Sequence, residues 1–200
     1  MSFDDPIAEK LLSDSPYERL RASQLRYFVQ PVERKLAWQS YQLLVLAGIF
    51  PLLSVLPSSI RQPYLPAVAE SSPKLAFVAL VAVVFVAGSG VGHALVGYAR
   101  GRLHPLDERQ AHELVAFESL CSMLGFGTGG LATLSTYALV LVGFGGRDAL
   151  DAFLAAGGGN PFAASAFDVT VGFVAIVALS SAVALRAFSA SLHAWATVHE

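Results

Sequence analysis

Hydrophobic and polar positions divide this chain into long blocks. The intervals 36–60, 75–99 and 119–146 contain no Asp, Glu, Lys or Arg. Each interval is longer than the roughly 20 apolar residues that a helix needs to cross a bilayer. A fourth interval, 169–185, is long enough when its helix continues past Arg186. The pattern therefore predicts four membrane-spanning helices.

This pattern predicts an all-α fold, a polytopic membrane protein with a four-transmembrane-helix bundle behind an amphipathic cytoplasmic N-terminal helix. The expected division is a cytoplasmic N-terminal segment, 1–35, and a transmembrane domain, 36–196. The expected spans lie at about residues 36–56, 75–99, 114–144 and 167–194. Asp168 is expected to start the last helix. The four prolines between spans one and two favour an extended connection over a helix.

The predicted helices have one face of small and polar residues and one of large apolar residues. At 100° per residue, span three places Glu118 and Ser122 with Gly125 and Gly129 on one face. Gly88 and Gly92 in span two have the same four-residue spacing as Gly125 and Gly129. Small residues at this spacing let membrane helices approach closely, so these four glycines are expected to be helix-packing residues.

Polar side chains inside the predicted spans form the candidate site. An ionisable residue at membrane depth is costly unless it is paired, and it indicates function by default. We expect a buried polar network or proton or ion pathway in the cytoplasmic third of the bundle, with a Glu118–Arg186 pair at its centre. Its expected members are Gln42, Ser89, His93, Glu118, Ser122 and Arg186. The same residues are also consistent with a network that only fixes helix register, or with a surface that meets another subunit.

Composition agrees with a membrane protein and excludes several other classes. Hydrophobic residues make up 54% of the chain and charged residues 14%, against about 25% charged in ordinary soluble domains. The net charge of -2 offers no basic field for nucleic acid. The single cysteine, Cys121, cannot form an internal disulfide.

The basic residues predict the orientation in the membrane. Ten of the 13 Lys and Arg residues lie before span one, between spans two and three, or at the end of span four. By the positive-inside rule, both termini are expected in the cytoplasm of a multi-pass cell-membrane protein. Within 1–35, a helix is expected from Ser15 to about Gln30, lying either on the inner leaflet or against another cytoplasmic element.

Enzyme chemistry finds little support in the pattern. Haem would need two histidines at matching depth, and His93 has no such partner. His112 and Glu113 lack the ligand spacing of helix-borne zinc motifs, and Ser89 with His93 is surrounded by no nucleophile motif. We therefore expect no catalytic residue, no metal and no cofactor.

The expected function is that of an oligomeric helical-bundle membrane component, as an ion or proton channel or transporter. The alternative is a non-catalytic structural or assembly subunit of a larger membrane complex. The expected partners are the lipid bilayer and further copies of the chain or other membrane subunits, without nucleic acid. The transported species and the oligomeric state do not follow from the sequence.

The layout resembles that of the Orai calcium channels. The shared features are four spans with both ends inside, a basic segment before span one, a histidine in span two (His93) and a glutamate in span three (Glu118). Span one has no acidic residue at its outer end that could form a selectivity ring. The resemblance therefore implies a possible channel layout and assigns no residue a role.

Overall fold

The computed structural model describes residues 16–23, 30–102 and 106–198. Within them the chain is all-helical, apart from its connections and one isolated bridge between Pro73 and Ala164. The helices are α1 Pro16–Ser23, α2 Val32–Ala47, α3 Ile49–Ser54, α4 Ser58–Tyr64, α5 Lys74–Arg102, α6 Glu108–Ser122, a π-helix Met123–Gly129, α7 Gly130–Phe144, α8 Gly146–Ala155 and α9 Val171–Val198. The prediction of an all-helical chain is confirmed.

Four helical stretches of the described residues are long and apolar enough to cross a membrane, as predicted. They are span one, Val32–Ser54; span two, Lys74–Arg102; span three, Glu108–Phe144; and span four, Val171–Leu192. Span three begins six residues before the expected 114 because Asp107 caps it. The Asp107 carboxylate accepts a hydrogen bond from the Gln110 backbone N–H at 2.7 Å, and the side-chain amide oxygen of Gln110 accepts one from the Asp107 backbone N–H at 3.2 Å.

Span two lies at the centre of the bundle and contacts the other three spans. The first turn of span one lies beside the last turns of spans two and four: the Ser189 hydroxyl donates to the Glu33 carbonyl at 2.9 Å, and Gly97 packs against Leu192. We call this the proximal end of the bundle. The opposite, distal end carries the connections 55–73 and 145–170.

The two distal connections are joined to each other by backbone hydrogen bonds. Lys74 N–H donates to Ala163 O at 2.9 Å, and Val171 N–H donates to Ser71 O at 3.0 Å. These bonds satisfy backbone groups that would otherwise be left unpaired at the distal ends of spans two and four.

Two expectations for the distal end are wrong. The first connection contains helix α4 where an extended segment was predicted, because Pro57 precedes the first turn and Pro63 falls near the end of a helix of only seven residues. Span four starts at Val171 and not at 167. Thr170 caps it by accepting from the Phe173 N–H at 3.2 Å, while Asp168 accepts from the Ser72 hydroxyl.

The N-terminal segment is described only in part. Helix α1 packs on α6, and Tyr17 is fully buried beside Ala111 and Val115. The remainder of the predicted helix, with its expected start at Ser15 and the stretch 24–29, lies outside the described residues.

The large apolar side chains of span three point away from the bundle, as the face pattern predicts. Leu131, Leu134 and Leu141 are each more than 65% exposed, while Thr133 and Thr136 on the opposite face are buried. A helix with this distribution buries its small polar face against protein and offers its apolar face to lipid.

The four-span topology can be tested by cysteine accessibility in a Cys121→Ser background. Glu70→Cys and Gly159→Cys lie in the exposed distal connections, and Arg109→Cys is exposed at the proximal end. We expect a membrane-impermeant maleimide to label the first two from one side of the membrane and the third only from the other. Labelling of all three from the same side would contradict the topology.

Candidate functional site

A cluster of buried polar side chains crosses the proximal half of the bundle. We call it the polar network. Each member is at most 4% exposed. Its members are Tyr17, Lys35, Gln39, Ser89, His93, Glu118 and Ser122.

Three spans each contribute two members that lie four residues apart. Span one supplies 35 and 39, span two 89 and 93, and span three 118 and 122. Residues four apart on an α-helix lie one above the other on the same face. The network therefore consists of three short side-chain ladders that face one another between the spans.

An ion pair lies at the proximal end of the network. Lys35 Nζ donates to Glu118 Oε1 at 2.6 Å and to Ser122 Oγ at 2.9 Å. The Tyr17 hydroxyl donates to the other carboxylate oxygen of Glu118. Both charges are thus paired and further hydrogen-bonded, which a buried ion pair needs if its desolvation cost is to be offset.

Helix α1 closes this end of the network. Tyr17 places its hydroxyl on Glu118, and the Arg100 guanidinium lies 4.3 Å above the centre of the Tyr17 ring. The aromatic ring thus separates the buried Glu118–Lys35 pair from a cation at the end of span two. This arrangement connects the N-terminal segment to the network directly.

The distal end of the network is held by an amide. Gln39 Nε2 donates to Ser89 Oγ at 2.6 Å, and the Ser89 hydroxyl donates to the Cys121 backbone carbonyl. His93 bridges the two ends, with Nδ1 3.2 Å from Gln39 Oε1 and Nε2 3.1 Å from Ser122 Oγ. The hydrogen-bonded chain is continuous from Tyr17 to Cys121.

The direction of these hydrogen bonds fixes one proton on His93. The Cys121 carbonyl can only accept, so Ser89 donates to it and accepts from the Gln39 amide nitrogen. The amide oxygen of Gln39 then faces His93. Because that oxygen can only accept, the His93 Nδ1 atom must carry a hydrogen.

Ser122 can accommodate two protonation states at the other nitrogen of His93. Its single hydroxyl hydrogen lies within reach of either the Glu118 backbone carbonyl, at 2.8 Å, or His93 Nε2. If His93 is neutral, Ser122 donates to Nε2. If His93 is protonated, Nε2 donates to Ser122, which turns its hydrogen to the carbonyl. Both states keep every ring nitrogen hydrogen-bonded.

Close contact between spans two and three depends on glycine. A Cβ atom on Gly125 would lie 2.5 Å from Gln39 Nε2 and 2.8 Å from Ser89 Cβ. Gly125 belongs to the seven-residue π-helix in the middle of span three. Such segments are rare and are frequently found at functional sites.

The structure brings together four of the six candidate site residues: Glu118, His93, Ser122 and Ser89. Gln42 lies elsewhere and donates to Thr133 Oγ1 at 3.2 Å. It is one turn distal to Gln39, whose amide occupies the place expected for it.

The expected pairing of Glu118 with Arg186 is wrong. Arg186 is exposed, and its guanidinium lies 5.4 Å from the centre of the Tyr41 ring, between spans one and four. Glu118 is paired with Lys35, because the helix of span one starts at Val32 and carries Lys35 into the bundle.

The four expected packing glycines do not behave alike. Gly92 packs against the Cys121 sulfur, Gly125 against Ser89, and Gly129 against Val86. Gly88 is exposed, and a Cβ there would meet no atom within 4 Å. Within the described chain Gly88 makes no helix contact, because it lies on the outer face of span two.

Sequence reasoning missed Tyr17, Lys35 and Gln39. The charge pattern places Lys35 with the cations that precede span one, and Gln42 is the glutamine of span one that the sequence pattern includes in the candidate site. The i, i+4 spacing of Lys35 and Gln39 is the signal that could have found them, since it matches Ser89/His93 and Glu118/Ser122.

Among residues 16–23, 30–102 and 106–198, no group of three or more His, Cys, Asp or Glu side chains is placed to share a metal ion.

Comparison of the chain with protein-family models, with curated proteins and with solved structures finds no match.

A double-mutant cycle tests the ion pair. Lys35→Met or Glu118→Gln alone should cost about 3 to 5 kcal/mol of stability, because the remaining charge stays buried without its partner. The double variant should lose less than the sum of the two. Thermal unfolding in detergent measures the losses. Additive losses would contradict the pairing.

The surface pair Arg109–Glu113 on the same span is the matched control. Its atoms are 3.1 Å apart, but its side chains are 87% and 67% exposed. Removing either partner should change the stability by about 1 kcal/mol or less.

Two glycines of the π-helix provide a second test. Gly125→Ala should destabilise the protein by about 1 to 3 kcal/mol, because the added methyl group displaces Ser89 and Gln39. Gly127→Ala should be nearly neutral, since nothing lies within 4 Å of its position. Equal unfolding temperatures of the two variants would show that the close contact at Gly125 is not needed.

Proposed function

We propose that the protein is a multi-pass membrane protein that moves protons, with the polar network as its relay. The observation that carries this proposal is the pair of hydrogen-bonding states open to His93. A relay group must gain and lose a proton without leaving buried polar atoms unpaired, because each such atom costs about 1 to 3 kcal/mol. Rotation of the Ser122 hydroxyl meets that requirement.

The cost of keeping charges at this position supports the same function. A buried ion pair is weak evidence for stability, since apolar residues of similar volume often stabilise a protein equally well or better. The polar network retains Lys35, Glu118 and His93 in an apolar bundle. Ionisable groups at membrane depth commonly mark proton or ion pathways.

In the proposed mechanism, protons enter from the proximal end. Glu118 is the first acceptor, reached past Tyr17, and Lys35 and Ser122 connect it with His93. Once the proton has passed to His93, the Glu118 carboxylate is charged again and is held by Lys35. Tyr17, on the N-terminal helix, controls access to Glu118.

The distal exit must open for transport to be complete. The hydrogen-bonded chain ends on the Cys121 carbonyl, and beyond it Val86 packs tightly on Gly129. Gly129 is the last residue of the π-helix. A change from π to α hydrogen bonding would rotate this segment of span three and separate Gly129 from Val86. We therefore assign the π-helix as the moving element.

The orientation and assembly belong to the same proposal. The excess of Lys and Arg near the proximal end supports a cytoplasmic location for that end and for both termini in a cell membrane. The residues that precede Val32 are then cytoplasmic, and Lys35 belongs to the first turns of the membrane domain. Gly88 lies on an exposed small-residue position of span two, which suits contact with a second copy of the chain or another membrane subunit.

A structural or assembly subunit is the second candidate. Its support is the balance of the network: one cation is matched to one anion, and the chain ends on a backbone carbonyl. Such a network can serve only to fix helix register.

Proton flux into liposomes tests the proposal. Protein reconstituted in potassium-loaded liposomes, with valinomycin to set the voltage and a trapped pH dye, should acidify or alkalinise the lumen according to the voltage. Glu118→Gln and His93→Ala should abolish this flux. Glu113→Gln, which removes an exposed acid of the same span, should leave it unchanged.

Three outcomes would contradict proton transport. They are no flux from the wild-type protein, equal flux from the wild-type protein and Glu118→Gln, and full flux from a stable Lys35→Met/Glu118→Gln variant. Absence of flux together with membrane partners that co-purify would favour the assembly subunit.

A further inference from the structure

A groove of about 410 Å³ runs between spans one and four on the outside of the bundle. It is separate from the polar network, which lies on the other side of span one. Most of the residues that line it are apolar, and several of them are small. The lining includes Tyr41, Leu44, Val183, Arg186, Ala187 and Ala190.

The groove holds one charged group, the guanidinium of Arg186. Arg186 is exposed and lies over the Tyr41 ring at 5.4 Å. Within the part of the chain that the structure describes, it forms no ion pair. A cation that faces lipid without an anion is costly, so its surroundings must supply one.

Arg186 lies in the proximal half of span four. Ser189, three residues closer to the proximal end, bonds to Glu33 in the first turn of span one. The Cα atom of Arg186 therefore lies about 5 Å further into the bundle than that turn. Its guanidinium reaches the Tyr41 ring, which lies about two helical turns beyond Glu33 on span one. The exposed ring of Tyr41 lies beside it, and Trp38, three residues earlier on span one, is exposed as well. Aromatic residues of this kind are common at membrane interfaces.

We infer that this groove binds one anionic phospholipid of the proximal leaflet. The phosphate accepts hydrogen bonds from the Arg186 guanidinium, whose planar donor pair fits phosphate oxygens. An acyl chain lies along Leu44, Ala182 and Val183 on the distal side of Arg186, where the small side chains leave room. The site does not depend on the proposed proton transport.

The charge of the groove favours a lipid over a protein helix as the occupant. A membrane helix would have to place an acidic residue beside Arg186 at the interface. An anionic phospholipid carries a phosphate beside an apolar chain, and the chain matches the apolar lining of the groove.

Native mass spectrometry of the detergent-solubilised protein tests the site. The probes are phosphatidylglycerol and phosphatidylcholine with identical acyl chains. We expect the wild-type protein to retain phosphatidylglycerol preferentially. Arg186→Gln should weaken this retention about tenfold, because a charge-assisted hydrogen bond to the phosphate is lost.

Arg102→Gln is the matched control. Arg102 is also exposed at the proximal end and stacks on a tyrosine ring, Tyr98, at 5.1 Å, but it lies outside the groove. Its loss should weaken retention by less than about threefold, as expected for a diffuse surface charge. Ala190→Leu keeps the charge and fills the groove, so it should weaken retention as Arg186→Gln does.

Four results would overturn the inference. Equal losses in Arg186→Gln and Arg102→Gln would indicate general charge attraction. Equal retention of the two lipids would show that the phosphate charge is not recognised. Unchanged retention in Ala190→Leu would place the lipid outside the groove. Competition by glycerol 1-phosphate as strong as by phosphatidylglycerol would show that no acyl chain is bound there.

Discussion

The ion pair between Lys35 and Glu118 constrains the rotation of three helices at once. An isolated charge at such depth is too costly to keep, so each partner must find the other and fill its remaining hydrogen bonds. The 2.6 Å contact requires Lys35 of span one and Glu118 of span three to face each other across the bundle. The residues one turn further on, Gln39 and Ser122, are then directed at span two, where His93 meets both.

The close approach of spans two and three follows from the same constraint. Short serine and histidine side chains can bridge helices only where the backbones nearly touch. Glycines provide this approach at three levels: Gly92 against Cys121, Gly125 against Ser89, and Gly129 against Val86. The π-helix lies over the second and third levels, where span three passes from the network to the apolar distal half.

The sequence predicts the bundle well because the hydrophobic effect acts on whole segments. Uncharged runs of more than 20 residues identify three of the spans, and the shorter run 169–185 identifies the fourth when its helix continues past Arg186. Face patterns identify the buried sides of Ser89, His93, Glu118 and Ser122. The partner of a charge is harder to predict, since it depends on where a helix begins. Lys35 lies at the edge of its apolar run, and only the helix start at Val32 places it inside.

Arg186 shows the opposite error. Its side chain shares a sequence stripe with small residues, but the stripe turns towards the groove at span one and not towards span three. Helical periodicity gives the relative directions of residues on one helix and cannot give the rotation of that helix against its neighbours. The π-helix is a related case, because one changed turn in span three leaves no distinct pattern in the apolar residues of Met123–Gly129.

Span one connects the polar network with the groove. Lys35 belongs to its first helical turns, and in the same region the Glu33 carbonyl accepts from Ser189, three residues from Arg186. Under the proposed relay, a change of charge at Glu118 or His93 would alter the forces on Lys35, and span one would carry this change to its contact with span four. Coupling between two binding sites is reciprocal. If the protonation state of the network changes the affinity for a lipid at Arg186, that lipid must change the proton affinity of the network by the same factor. Span one is therefore the element through which membrane composition would act on the site.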